Sequence, residues 1–153
     1  MKPTIVIDQT LESFRMHWLV LEKECPLEVT FDPYSKYTAP FYQDGDILIY
    51  DHSTLVQFLQ ERYPGEQLMP ADPVSRAQIR QVCAMIDESD IDIFSEAEEI
   101  LNTGSEYLAG REFTLLDIYV GAWLSENYTL DNSSVRSYWR RISSRPAYIK
   151  ALQ

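Results

Sequence analysis

The chain has 153 residues, of which 45% are hydrophobic and 24% charged, so it can bury a core and does not have a disordered composition. A formal net charge of −11 repels a phosphate backbone and argues against direct nucleic-acid binding, while leaving a protein partner with a basic face open. No apolar run approaches the roughly 18 residues that a membrane span needs, and "MKPTIVIDQT" carries one lysine and a three-residue apolar stretch, unlike a secretory leader; a cytoplasmic chain with no membrane contact is expected.

"PTIVID" reads as a short strand. Asp8 to Thr10 reads as a turn and a helix cap. Apolar residues then recur at Leu11, Phe14, Trp18 and Leu21, which predicts a helix from Leu11 to Lys23 that Pro26 stops. "LEVTF" alternates as a second strand. "PFYQDGDILIYD" has two strand-like runs around an Asp-Gly turn signal and predicts a hairpin. Ser53 can cap a helix whose inner face is Leu55, Phe58 and Leu59. Strand–helix–strand followed by a hairpin and a helix makes one mixed sheet with helices packed on it.

Composition changes after Pro64. "PGEQLMPADP" holds three prolines in ten residues and reads as a linker. From Val74 to Asn102 there is neither glycine nor proline, and apolar residues keep a helical spacing; this predicts one long helix, or two with a bend near Ser89. The run from Asp87 to Glu99 puts seven acids on it. Such a run on a helix reads as a solvated face, because carboxylates bind a cation best from loops that wrap it. Thr114 followed by Asp117 is a capping-box pattern, with Phe113 and Ile118 at staple positions. The helix it starts is apolar nearly all round and should be buried. Val135, Tyr138, Trp139 and Ile142 then fall at i, i+3, i+4, i+7, and a short helix follows Pro146. Roughly four helices are expected in this half. The domains expected are 1–64, a linker over 65–72, and a helical domain over 73–153.

The two cysteines, Cys25 and Cys83, form no CxxC pair and have no zinc spacing with histidine. Both read as reduced, buried, small apolar side chains. Glu22, Glu24 and Glu28 around Cys25 are expected to raise its pKa.

Several stretches together resemble the glutathione S-transferase superfamily: "AP" before the third strand, "DGDILIYDHSTLVQFLQERYP", "LMPADPVSRAQIRQ", "LAGREFTLLDIYVGAWL" and "WRRISSRPAYIKAL". The resemblance covers nearly the whole chain from Pro40 on. It implies a thioredoxin-like α/β N-terminal domain with a four-stranded mixed sheet, followed by an all-α domain, in a homodimer. "YPGEQLMPADPVSRA" is also similar to the stringent starvation protein A branch, whose members bind RNA polymerase and lack transferase activity.

The resemblance further implies a glutathione site. Thr10 falls near the family's thiol-activating hydroxyl, with Ser13 one turn later, although Thr10 is equally a good N-cap. Ala39 is the residue whose backbone pairs with the tripeptide, before a cis Pro40. Asp51 would take the glutamyl amine. His52 stands where the family has a carboxylate-binding serine, and Ser53 can substitute from the next position. Only "DPYSKYTA" separates the second strand from Pro40, too short for the family's second-helix region, and Lys36 is its one candidate for the glycyl carboxylate. The helical domain also reads as one helix short. Two functions follow: a non-catalytic or weakly active interaction module with a degenerate glutathione site, or a compact transferase conjugating glutathione to small electrophiles.

Overall fold

The computed structural model describes residues 2–65, 67–89, 91–127 and 132–153. The chain divides into two compact units, Met1–Glu66 with Lys150–Gln153 and Gln67–Ile149. Glu66 of the linker reading and Asp90 of the acidic run lie outside the described residues.

The first unit is built on β1 (Thr4–Ile7), α1 (Leu11–Glu22), β2 (Glu28–Phe31), β3 (Phe41–Asp44), β4 (Ile47–Ile49) and α2 (His52–Arg62). The sheet order is β2-β1-β3-β4. β1 and β2 run parallel, while β1–β3 and β3–β4 are antiparallel. This is the mixed sheet expected from a strand–helix–strand unit followed by a hairpin. Ile5 faces Tyr42 across the β1–β3 ladder, and both are buried. The Tyr42 ring lies 4.9 Å from that of Phe58, so the inner face of α2 covers the sheet. The hairpin turns at Gly45-Asp46, with Gly45 at φ +59°. Only glycine adopts that conformation without steric cost, which is why the Asp-Gly signal was legible.

α1 ends at Glu22 with Lys23 as its C-cap, within a residue of the expectation, but Pro26 is not what stops it: Glu24 takes φ +51°, and the Glu24 and Cys25 amides bond back to the Leu21 and Val20 carbonyls. This is a left-handed helix stop made without glycine. At α2 the cap is Asp51 and not Ser53: the Asp51 carboxylate accepts the Thr54 amide at 3.1 Å. An aspartate two residues upstream starts the helix earlier, and its charged oxygen is a favourable acceptor at a helix N-terminus.

The second unit holds α3 (Pro73–Asp87), α4 (Ile93–Leu101), α5 (Leu115–Asn127), α6 (Ser133–Ser143) and most of α7 (Pro146–Ala151). The long Val74–Asn102 segment is two helices, broken where Ser89 takes φ +56°. Among the described residues there are thus five helices here, where roughly four were expected. α5 is buried from Leu115 to Ala122 and again at Leu124. It packs against α3 and α6. Its capping box forms as read: the Thr114 hydroxyl accepts the Leu116 amide, and Asp117 accepts the Thr114 amide at 2.9 Å. Asp117 also accepts the Leu108 amide and the Tyr138 hydroxyl, which ties the loop before α5 and the middle of α6 to one carboxylate. Val135, Tyr138 and Ile142 are buried as the helical spacing predicts. Trp139 is half-buried, edge-on to Tyr148.

No helix among the described residues is long and apolar enough to cross a membrane. Among the same residues no group of His, Cys, Asp or Glu is arranged to hold a metal ion. The acidic run is divided between the end of α3, the turn and α4, and Asp92 in it caps α4 by accepting the Ser95 amide. Cys25 and Cys83 are both buried and outside any disulfide. The Cys25 thiol is pushed up to about 11, chiefly because burial disfavours the thiolate; Lys23 works in the opposite direction. The direction is the expected one, but desolvation causes it and not the neighbouring acids.

Candidate functional site

A cleft of about 470 Å³ lies within the first unit, lined by Thr10, Glu12, Lys36, Tyr37, Thr38, Ala39, Pro40, Tyr50 and His52. Four of the seven site residues singled out in the sequence are in its wall: Thr10, Ala39, Pro40 and His52. Ser13, Asp51 and Ser53 are not. The wall is made where the start of α1, the approach to β3 and the start of α2 converge. The segment between β2 and β3 is irregular and contains no helix, as its length required.

The Ala39–Pro40 peptide is cis. Ala39 is buried at 7% exposure, and among the described residues no hydrogen bond is made to its amide or carbonyl. A strand of foreign backbone can therefore pair there in the manner of an added edge strand. Exposed Tyr37 and Tyr50 rings flank it. The Lys36 ammonium lies 5.6 Å from the Tyr37 ring centre and is exposed.

At the start of α2, Asp51 Oδ2 accepts the hydroxyls of Thr54 (2.6 Å) and Ser53 (3.3 Å) as well as the Thr54 amide. The Thr54 hydroxyl, the Thr54 amide and the Ser53 hydroxyl hold the Asp51 carboxyl below its ordinary value, and the nearby His52 acts in the same sense. Ser53 thus spends its proton on the cap. His52 Nε2 lies 2.9 Å from a guanidinium nitrogen of Arg15, which is itself buried. Arginine has only donors, so Nε2 must be the acceptor, and the proton of the neutral ring sits on Nδ1. One imidazole nitrogen is thereby taken by α1 and not by a ligand.

The start of α1 departs most from the sequence reading. Thr10 is the N-cap and accepts the Ser13 amide at 3.3 Å. Its hydroxyl donates to Asp8 Oδ1 at 2.6 Å, and the Ser13 hydroxyl donates to the same oxygen at 2.8 Å. The Thr10 amide donates to it as well, at 3.0 Å. Ser13 Oγ in turn accepts the Asp8 amide, and the residue is fully buried. Burial acts to raise the Asp8 pKa, but the hydrogen bonds from Thr10 and Ser13 outweigh it and hold the carboxyl below its ordinary value. A hydroxyl has one proton to give. Both candidate donors have given theirs to Asp8.

Asp8, Arg15 and Glu12 were not singled out from the sequence as site residues. Asp8-x-Thr10 is the spacing of an aspartate side chain that bonds the amide two residues on, and this signal was available. Nothing local could reveal that Arg15 meets a side chain 37 positions away.

This sheet topology, the cis-proline rim and the capping-box helix define a protein of glutathione S-transferase fold. The solved structures agree. A glutathione S-transferase from the Antarctic clam Laternula elliptica superposes with TM-score 0.82 at 17% identity, covering 99% of this chain and 92% of that one. A glutathione transferase homologue from Burkholderia gl BGR1, with bound glutathione, superposes with TM-score 0.80 at 17% identity over 98% and 95% of the two chains. No protein-family model matches the chain. In sequence it is similar to a stringent starvation protein A homologue of Pasteurella multocida, 25% identical over 149 residues, covering 79% of this chain and 69% of the relative. The fold is thus that of the glutathione S-transferases, and the sequence is similar to the stringent starvation protein A homologues.

Proposed function

We propose that the protein is a non-catalytic member of the superfamily that retains the peptide-binding rim of a glutathione cleft and serves as a regulatory or interaction module. The observation that carries this reading is the fate of two protons: the Thr10 and Ser13 hydroxyls both donate to Asp8. A transferase of this type activates glutathione by donating a hydrogen bond to its thiolate. Here that donation would require breaking a charge-assisted bond of 2.6 Å to form a bond to sulfur. Similarity to the stringent starvation protein A homologues supports the same reading. Homodimerisation, a protein partner and a cytoplasmic location belong to this proposal.

The rim is proposed to bind as follows. Ala39 pairs with ligand backbone beside Pro40, Asp51 takes an amine, and the α2 start with His52 and Ser53 faces a carboxylate through its backbone amides. The alternative, a compact transferase, draws on the roughly 470 Å³ cleft and the unpaired Ala39 backbone.

The test is a conjugation assay with a general aromatic electrophile, beside a thermal-shift titration with millimolar glutathione. Turnover at the buffer rate is expected, together with stabilisation by glutathione that Asp51→Ala loses. Turnover above buffer that disappears in Thr10→Val or Ser13→Ala would establish the transferase instead.

A further inference from the structure

The Asp8 carboxylate has a consequence for ligand choice that rests on the cleft reading just given. Its Oδ1 sits 2.6 Å from the hydroxyl oxygen of Thr10, a residue that lines the cleft. A sulfur in contact with that hydroxyl therefore comes within the range at which one charge governs the ionisation of another, about 4–6 Å. From α1, Glu12 in the wall is also acidic, and the α1 cation Arg15 has its guanidinium engaged with His52 Nε2. At the cap of α2 stands the Asp51 carboxylate, and the neutral His52 ring accepts a hydrogen bond from Arg15. The one cation in the wall, Lys36, is exposed on the β2–β3 segment.

We propose that Asp8 is a specificity-determining residue that makes the cleft select against an anionic sulfur, so that it takes glutathionyl peptides as the neutral thiol or with the sulfur substituted, and not as the thiolate. With its proton pointed at Asp8 and one lone pair taken by the Ser13 amide, the hydroxyl has one lone pair left to offer a ligand. A neutral S–H can donate to it, whereas a thiolate meets only an acceptor. Asp8 does not serve as a base for the thiol either: its carboxyl is held below its ordinary range, far from the thiol value of about 8.5.

The test compares two probes by isothermal titration at neutral pH: S-methylglutathione, neutral at sulfur, and glutathione sulfonate, permanently anionic there. The wild-type protein should prefer S-methylglutathione by a few-fold to about tenfold, the effect of one nearby like charge that solvent partly screens. Asp8→Asn keeps an acceptor for the Thr10 and Ser13 hydroxyls and removes the charge, so the preference should collapse. Equal binding of both probes by wild type would overturn the role of Asp8 and leave the cleft reading standing. A preference that persists undiminished in Asp8→Asn would do the same. Binding of neither probe, by wild type or variant, would overturn the cleft reading and this proposal with it. The wild-type comparison alone decides if the variant does not fold.

Discussion

Replacing Asp117 by alanine tests the interaction on which the second unit is centred. Asp117 is fully buried. Its Oδ1 accepts the Leu108 amide at 3.1 Å and the Tyr138 hydroxyl at 2.7 Å, and its Oδ2 accepts the Thr114 amide at 2.9 Å. Alanine leaves three buried donors without their acceptor, each costing about 1–3 kcal/mol. Against this stands the cost of burying the carboxylate, visible in a pKa raised mainly by desolvation in spite of the three bonds. Removing the charge relieves that cost. The net loss should be about 3–5 kcal/mol, the cost of three stranded neutral donors less the relieved desolvation of the carboxylate. With a urea m-value of about 2 kcal/mol/M, the midpoint falls by about 2 M. Tyr138→Phe leaves both amides satisfied and should cost only about 1.5–3 kcal/mol, the worth of one bond to a charged acceptor. The measurement is urea unfolding near pH 7, followed by far-UV circular dichroism and by tryptophan fluorescence. A loss under about 1 kcal/mol for Asp117→Ala would mean that desolvation nearly cancels the three bonds, and the account of α5 as anchored by this residue would be wrong.

Two further outcomes are expected. Cys25 is buried with its thiol pushed up to about 11, and Cys83 is buried too, so neither should react with a disulfide reagent at about pH 8 until the chain is unfolded; rapid labelling of native protein would contradict the burial. Asp8, Asp51, Asp72 and Asp92 all have carboxyls held below the ordinary value of 3.8 by hydrogen bonds they accept. A depressed folded pKa contributes stability that is present above the unfolded value and is lost as pH falls through the folded one. The melting temperature should therefore decline as pH is lowered below about 4, and a flat profile there would remove the caps from the account.

Much of the fold was legible because its signals are local. Gly45 in a two-residue turn, the Thr114–Asp117 pair and the spacing of Val135, Tyr138 and Ile142 each act within a few residues. A short peptide window carries the physics that produces them. Local competition was harder to read. Ser53 and Asp51 both offer an oxygen to the start of α2, and Pro26 and Glu24 both mark the end of α1; sequence alone identified the neighbourhood but not the winner.

The sequence by itself determined the alternation of elements, and its resemblance to a known family marked the rim at Ala39–Pro40 and the hydroxyls of Thr10 and Ser13. Folding decided what those donors do. Thr10 and Ser13 carry hydroxyls on any reading, and the turn from β1 into α1 settles their use locally by bringing Asp8 within 2.6 and 2.8 Å of them. His52 carries an imidazole on any reading, and only the packing of α1 beside α2 sets Arg15 against its Nε2. Hydrogen bonds of about 3 Å are directional and short-ranged, so side-chain identity names the possibilities and the folded backbone selects among them.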